Sequence, residues 1–143
     1  MSAYVFSDTV DFADTDAAGL VHFSNFFRYV ERAESAWFLS MGVAQFETVA
    51  GGGFRGFPKV NVQCDFRAPL KAGDAFSVRL APVESGRSSF TYAFAVLVGG
   101  PQGAVAAEGR VTLAFVESGG TAGMISVPLP AALADAVGRS VYD

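Results

Sequence analysis

From Ser24 to Met41 the apolar residues return at helical spacing: Phe26, Val30, Ala33 and Trp37 lie four, three and four positions apart, and Phe27 and Phe38 widen the stripe. This predicts one amphipathic helix of about 18 residues. Ser24 or Asn25 can cap its start, and Gly42 stands where a C′ glycine ends a helix. Elsewhere the period is two. Val10 and Phe12 alternate in a short first strand over Val5 to Phe12, which stops at Asp14-Thr15-Asp16. Val60, Val62, Cys64 and Phe66 alternate with Asn61, Gln63, Asp65 and Arg67, predicting a strand with one buried face. Phe76, Val78 and Leu80 mark a third strand, and the turn Ser85-Gly86-Arg87 leads into Phe90, Tyr92, Phe94, Val96 and Val98. After Gly99-Gly100-Pro101-Gln102-Gly103, the residues Val105, Ala107, Gly109, Val111, Leu113 and Phe115 give the last strand.

Residues 43 to 57 read as an irregular, glycine-rich connection, and Val127 to Val137, opened by Pro128 and Pro130, as a short terminal helix. The expected architecture is α+β, a five-stranded antiparallel sheet curled around one long helix, in a single domain over residues 1–143. The other face of the last two strands carries Ala93, Ala95, Leu97, Ala104, Ala106 and Ala114, where a monomer would show charge to water. That face is expected to pack on a second subunit, or else under the tail from Ser118 onward.

At 143 residues and 51% apolar content, one core is expected, burying roughly 70% of the unfolded surface. A net charge of −4 and a pI near 4.9 exclude the clustered cations that nucleic-acid binding needs. The first basic residue is Arg28, after Asp8, Asp11, Asp14 and Asp16, so the N-terminus lacks the layout of a secretory signal and a cytoplasmic location is expected. No apolar run nears the ~20 residues that span a bilayer. The lone Cys64 and lone His22 cannot build an internal disulfide or a Cys/His zinc site, so no metal is expected.

No Gly-x-Ser-x-Gly, Walker loop or His-Glu-x-x-His occurs. Gly51, Gly53 and Gly56 spell Gly-x-Gly-x-x-Gly, but Phe57-Pro58 and a strand follow where a dinucleotide site needs a helix. Chemistry concentrates in Asp14-Thr15-Asp16-Ala17-Ala18-Gly19-Leu20-Val21-His22-Phe23, which joins the first strand to the helix. It holds two acids and the only histidine. A helix start offers free N–H groups and positive partial charge to an oxyanion, and a carboxylate on the entering loop supplies a nucleophile or base. From spacing alone, Asp16 reads as an ordinary turn or capping residue ahead of a catalytic one.

Asp14-Thr15-Asp16-Ala17-Ala18-Gly19, then Val21-His22-Phe23-Ser24-Asn25-Phe26-Phe27-Arg28-Tyr29 and Glu31-Arg32-Ala33, resemble the 4-hydroxybenzoyl-CoA thioesterase family. The likeness continues more loosely through Phe66-Arg67-Ala68-Pro69-Leu70 and Gly73-Asp74 to Phe115. It implies the hot-dog fold, homodimers or homotetramers with sites between subunits, and acyl-CoA hydrolysis without a cofactor, coenzyme A being part of the substrate. It places the catalytic aspartate on Asp16, as nucleophile or as base, and the carbonyl-polarising backbone N–H on Phe23. His22, Asn25, Phe26 and Arg87 are the expected substrate contacts. The assisting histidine of some bacterial members would align with Phe23, one residue beyond His22, and Phe12 stands where relatives often have tyrosine. At the nucleotide turn only Arg87 is basic; Arg55, Lys59, Arg67 and Lys71 are further candidates, and each also reads as an ordinary solvated charge. Glu31 and Glu34 read as a solvated helix face, with a secondary acid role as the other option. The acyl group is expected to be aromatic, such as hydroxybenzoyl or dihydroxynaphthoyl, ahead of short aliphatic. Two other readings stand beside hydrolysis: a hot-dog hydratase or dehydratase, and a non-catalytic module binding acyl-CoA or an aromatic ligand.

Overall fold

The long stripe of aromatic residues does form a single helix. In the computed structural model, which describes residues 3–119 and 123–135, helix α1 (Phe23–Ser40) buries Phe26, Tyr29, Val30, Ala33, Trp37 and Phe38 on one side. Each large apolar side chain so buried contributes about 1.5–3 kcal/mol, which is what holds the helix against the sheet. Gly42, at φ 70°, takes the left-handed turn that ends it. The cap differs from the expectation of Ser24 or Asn25. His22 is the N-cap, extended at φ −62° and ψ 137°, and its side chain accepts from the Ser24 N–H. The His22 N–H is held by the Asp14 carbonyl at 3.0 Å, which fixes the chain as extended up to that residue and starts the helix at Phe23.

The helix lies mainly against three strands of a five-stranded antiparallel sheet. The sheet's strands are β1 (Tyr4–Thr9), β4 (Lys59–Phe66), β5 (Ala75–Ser85), β6 (Ser89–Val98) and β7 (Val105–Ala114), in the order β1-β5-β6-β7-β4. β1 is shorter than the reading of Val5 to Phe12, because a 3-10 turn occupies Phe12–Asp14. The inner face is the aromatic one: Phe76, Phe90, Tyr92 and Phe94 are buried with Trp37 and Phe38. Gly109 pairs with Phe94, and a Cβ there would lie 2.9 Å from the Phe94 ring and against the Gln63 carbonyl. Two sequence readings of the sheet need correction. The register shift between Val96 and Leu97 pairs Val105 with Leu97 on the outer face, and Ala106 is fully buried. Ala95 and Leu97 are also shielded within one chain, so half of the alanine face is covered, while Ala93 and Ala114 are half-buried and Ala104 is exposed.

The second correction concerns β4. Val60, Val62 and Phe66 are 60%, 45% and 48% exposed, not buried. β4 is an edge strand that meets the helix chiefly through Phe66, against Phe26 and Phe27, and through Lys59, against Glu34, while the helix packs mainly on β1, β5 and β6. Exposed apolar surface thus runs along this edge and onto Phe23 and Phe27 of α1, while Phe12, Leu39, Phe46, Met124 and Ile125 are exposed elsewhere.

The span 43 to 57 is not irregular. It holds β2 (Phe46–Val49) and β3 (Gly53–Gly56), which join β8 (Val116–Ser118) and β9 (Met124–Ser126) in a second sheet ordered β2-β3-β8-β9. β3 takes up Gly53 and Gly56 of the glycine triplet, so no helix follows that triplet. A helix is described over 131–135, inside the predicted Val127 to Val137. Leu129 and Leu133 join the main core from this tail. The end of that predicted helix lies outside the described residues.

Candidate active site

Asp14 to His22 fold back on themselves as a small closed loop. Asp16 donates its N–H to the Leu20 carbonyl at 2.8 Å, Thr15 bridges Val21, and Gly19 at φ 78° makes the turn. Val21 in turn donates to Leu70 at 2.8 Å, so the loop is fastened to the segment after β4. Within it one Asp16 oxygen, Oδ1, accepts the N–H groups of Ala18 (2.8 Å) and Leu20 (3.3 Å). No described residue donates to Oδ2. The turn-residue reading and the catalytic reading thus hold together, since the turn hydrogen bonds consume one oxygen and leave the other available.

Asp16, Leu20, Val21, His22, Phe23, Phe26, Phe66, Arg67, Ala68 and Pro69 line one open cleft of about 580 Å³. Phe23 is the first helical residue, and its N–H meets no acceptor among the described residues. Asp16, with one oxygen that takes no donor among the described residues, and the first residue of the helix thus line the same cleft. Its apolar wall is aromatic. The Phe66 ring meets Phe26 at 5.4 Å, Phe27 at 6.3 Å and Phe23 at 6.4 Å, all edge to face. His22 is exposed at the rim, with Nδ1 2.8 Å from the Ser24 hydroxyl and its ring against Phe23 at 4.7 Å.

Two expected substrate contacts are not in this cleft. Asn25 turns inward, and its amide donates to the Asp14 carbonyl at 2.9 Å. Arg87 sits in the β5–β6 turn beside the Lys59 end of β4, whereas Phe66 and the cleft lie at the other end of that strand. Of the other cations only Arg67 lines the cleft, paired with Glu108 at 2.9 Å. Arg55 lies between Glu47 and Glu117, both at 3.7 Å, and Lys59 pairs with Glu34 at 3.2 Å. Glu31 is exposed, but the solvated reading of Glu34 is wrong: Glu34 is 1% exposed and takes hydrogen bonds from Tyr92, Gln45 and Lys59.

Sequence reasoning raised Arg67 only as a candidate for the nucleotide and passed over Phe66, Ala68 and Pro69 as site residues, although the looser match at Phe66-Arg67-Ala68-Pro69-Leu70 was the available signal. It also left Asp14 without a role. Asp14 is buried, and the Tyr29 hydroxyl donates to its Oδ2 at 2.8 Å.

Residues 10–137 of the chain match a family model described as the thioesterase-like superfamily. The chain belongs to that superfamily. A 1,4-dihydroxy-2-naphthoyl-CoA hydrolase of a Synechococcus strain is 35% identical to this thioesterase-like chain over 101 residues, covering 64% of each protein and so less than two thirds of the relative. Among solved structures, a 1,4-dihydroxy-2-naphthoyl-CoA thioesterase from Synechocystis superposes with a TM-score of 0.79 at 20% identity, over 99% of this chain and all of that one, and shows the shared hot-dog fold. A gentisyl-coenzyme A thioesterase superposes with a TM-score of 0.74 at 25% identity, over 94% of this chain and 98% of that one.

Proposed function

We propose that this thioesterase-like chain hydrolyses an acyl-CoA thioester whose acyl group is aromatic, releasing free acid and coenzyme A in the cytoplasm. The observation that carries the reading is the Asp16 carboxylate, held through Oδ1 with Oδ2 free, in one cleft with the unpartnered Phe23 N–H. The thioester carbonyl oxygen takes the Phe23 N–H, which gains strength as negative charge develops there. Oδ2 then either attacks the carbonyl carbon, expelling the thiolate and leaving a mixed anhydride for water to open, or removes a proton from a water that attacks. A thiol of pKa about 8.5 leaves readily as thiolate, so the chemistry needs neither a separate acid nor a metal. The aromatic acyl group is supported by the walls of Phe23, Phe26 and Phe66 and by the aromatic thioesters named for the hydrolase and the gentisyl enzyme above. The test is free-thiol release from a panel of aromatic and aliphatic acyl-CoA esters. Aromatic esters are expected to turn over at least about tenfold faster by kcat/KM. Absence of thiol release from every ester would end the hydrolase reading and favour the binding module.

The working form is a homo-oligomer built on the β4 edge. Two copies of β4 paired antiparallel would cover Val60, Val62 and Phe66 and set the partner's Lys59 end beside the cleft, bringing cations within reach of the nucleotide phosphates. Val62→Arg, which puts a charge on that apolar edge, is expected to give monomers in light scattering and to lower kcat/KM at least about tenfold. A fully active monomeric variant would remove the interface role.

A further inference from the structure

The only other acid in the loop, Asp14, is not used by the chemistry above, yet it is 7% exposed. Burying a carboxylate is costly unless several donors meet it. Among the described residues one donor lies within hydrogen-bond distance, the Tyr29 hydroxyl at 2.8 Å; the exposed Arg28 guanidinium stands 3.9 Å away. Such a pair offers little stability over an apolar one of the same volume, so its value lies in geometry. Tyr29 is a rigid post: it is 1% exposed, and its ring stacks on Phe76 of β5 at 4.4 Å. Its phenol is pushed well above the usual tyrosine range by burial and by the Asp14 carboxylate, which keeps the hydroxyl a donor.

Asp14 is also tied through its backbone. Its carbonyl accepts the His22 N–H at 3.0 Å and the Asn25 side-chain amide at 2.9 Å. One residue therefore grips α1 at its cap, at its first turn and, through Tyr29, at its second. Asp16 follows two residues later, and nothing but Thr15 separates it from that anchor. We infer that Tyr29, acting through Asp14, is a positioning residue that fixes the Asp16 carboxylate relative to the Phe23 N–H. This rests on the hydrolase reading of Asp16.

Three variants test it. Tyr29→Phe keeps the stacked ring and removes the donor, Asp14→Ala removes the acceptor, and Asp14→Asn keeps a hydrogen-bonding side chain without the charge. In folded protein, Tyr29→Phe and Asp14→Ala are expected to lower kcat by about tenfold or more with KM within about threefold, because misplacement costs transition-state contacts more than ground-state binding. Asp14→Asn is expected to stay within about threefold of wild type in kcat. Amide exchange followed by NMR gives a readout independent of turnover. The Asp16 and His22 amides, which donate to Leu20 and Asp14, are expected to exchange at least about fivefold faster in Tyr29→Phe, while amides in the middle of α1 do not change. A Tyr29→Phe variant with wild-type kcat and unchanged loop exchange overturns the inference, as does a loss confined to KM. Asp14→Asn as impaired as Asp14→Ala would assign the effect to charge and also overturn it. If wild type hydrolyses no thioester, the hydrolase reading fails by itself, and the exchange rates alone decide whether Tyr29 orders the loop.

Discussion

Asp16→Asn is expected to lower kcat for thioester hydrolysis about a thousandfold, equivalent to roughly 4 kcal/mol of lost transition-state stabilisation, with KM changed little. The substitution is closely matched in shape, and the amide oxygen it introduces can still accept the Ala18 and Leu20 N–H groups that Asp16 Oδ1 accepts. The loop conformation should persist. What disappears is the free Oδ2, replaced by an amide nitrogen that can neither attack a carbonyl nor take a proton from water. Retention of the Phe23 N–H and the aromatic walls leaves binding and carbonyl polarisation, which accounts for the residual rate. Thiol release under saturating substrate measures kcat, and an Asp16→Asn enzyme keeping more than about a tenth of wild-type kcat would remove Asp16 from the reacting centre. Single turnover of the wild type in 18O-labelled water can reveal the nucleophilic route, because a mixed anhydride opened at its acyl carbon returns Asp16 unlabelled and one opened at Asp16 labels its carboxylate. Label entering only the product leaves both routes open, while any label in Asp16 requires the nucleophilic one.

The features legible in the sequence are those set by long, uninterrupted periodicity. Helix α1 has its 18 residues because Phe26, Val30, Ala33 and Trp37 leave no other period for that stretch, and β5, β6 and β7 follow from their alternating aromatic and aliphatic residues. The second sheet escaped because β2, β3, β8 and β9 are three or four residues long, too short for alternation to register, and β3 begins and ends with glycine. The exposure of β4 escaped for a different reason. Alternation says which side chains share a face, not whether the rest of the chain covers that face, and β4 lies at the sheet edge, where the helix covers it only in part. In the candidate site, Asp16 and Phe23 were singled out through a motif, whereas the contacts of Asp14 became visible only in the fold. Its partner Tyr29 stands fifteen positions along the chain on the buried side of a helix, and no local spacing links the two.

Glu34 is the other residue whose role only the packing reveals, and Glu34→Ala is expected to destabilise the fold by about 3 kcal/mol. Its carboxylate lies inside the protein with the Tyr92 hydroxyl at 2.7 Å on Oε1 and the Gln45 amide at 2.9 Å and Lys59 ammonium at 3.2 Å on Oε2. Removing the acid strands these donors, of which Tyr92 is fully buried, and opens a cavity beside the core. The Lys59 side chain is one-third exposed and can turn to water, which keeps the cost toward the lower end of the range for broken buried ion pairs. At this chain length a loss of about 3 kcal/mol corresponds to a fall in Tm of roughly 10 °C, measured at one fixed protein concentration because assembly adds to stability. Glu34→Gln keeps an acceptor for the buried Tyr92 but replaces Oε2, the acceptor of Gln45 and Lys59, with an amide nitrogen; since both of those side chains can turn away, its Tm should fall about half as far. Activity separates this role from a chemical one. Glu34 stands eleven residues along α1 from Phe23, about 16 Å by helical rise, so folded Glu34→Gln should retain kcat within about twofold. A Glu34→Ala protein that melts with wild type would show that the network contributes no net stability, and a Glu34→Gln enzyme that folds normally yet loses kcat would make Glu34 part of the reaction, with the partner's cleft as the place to look.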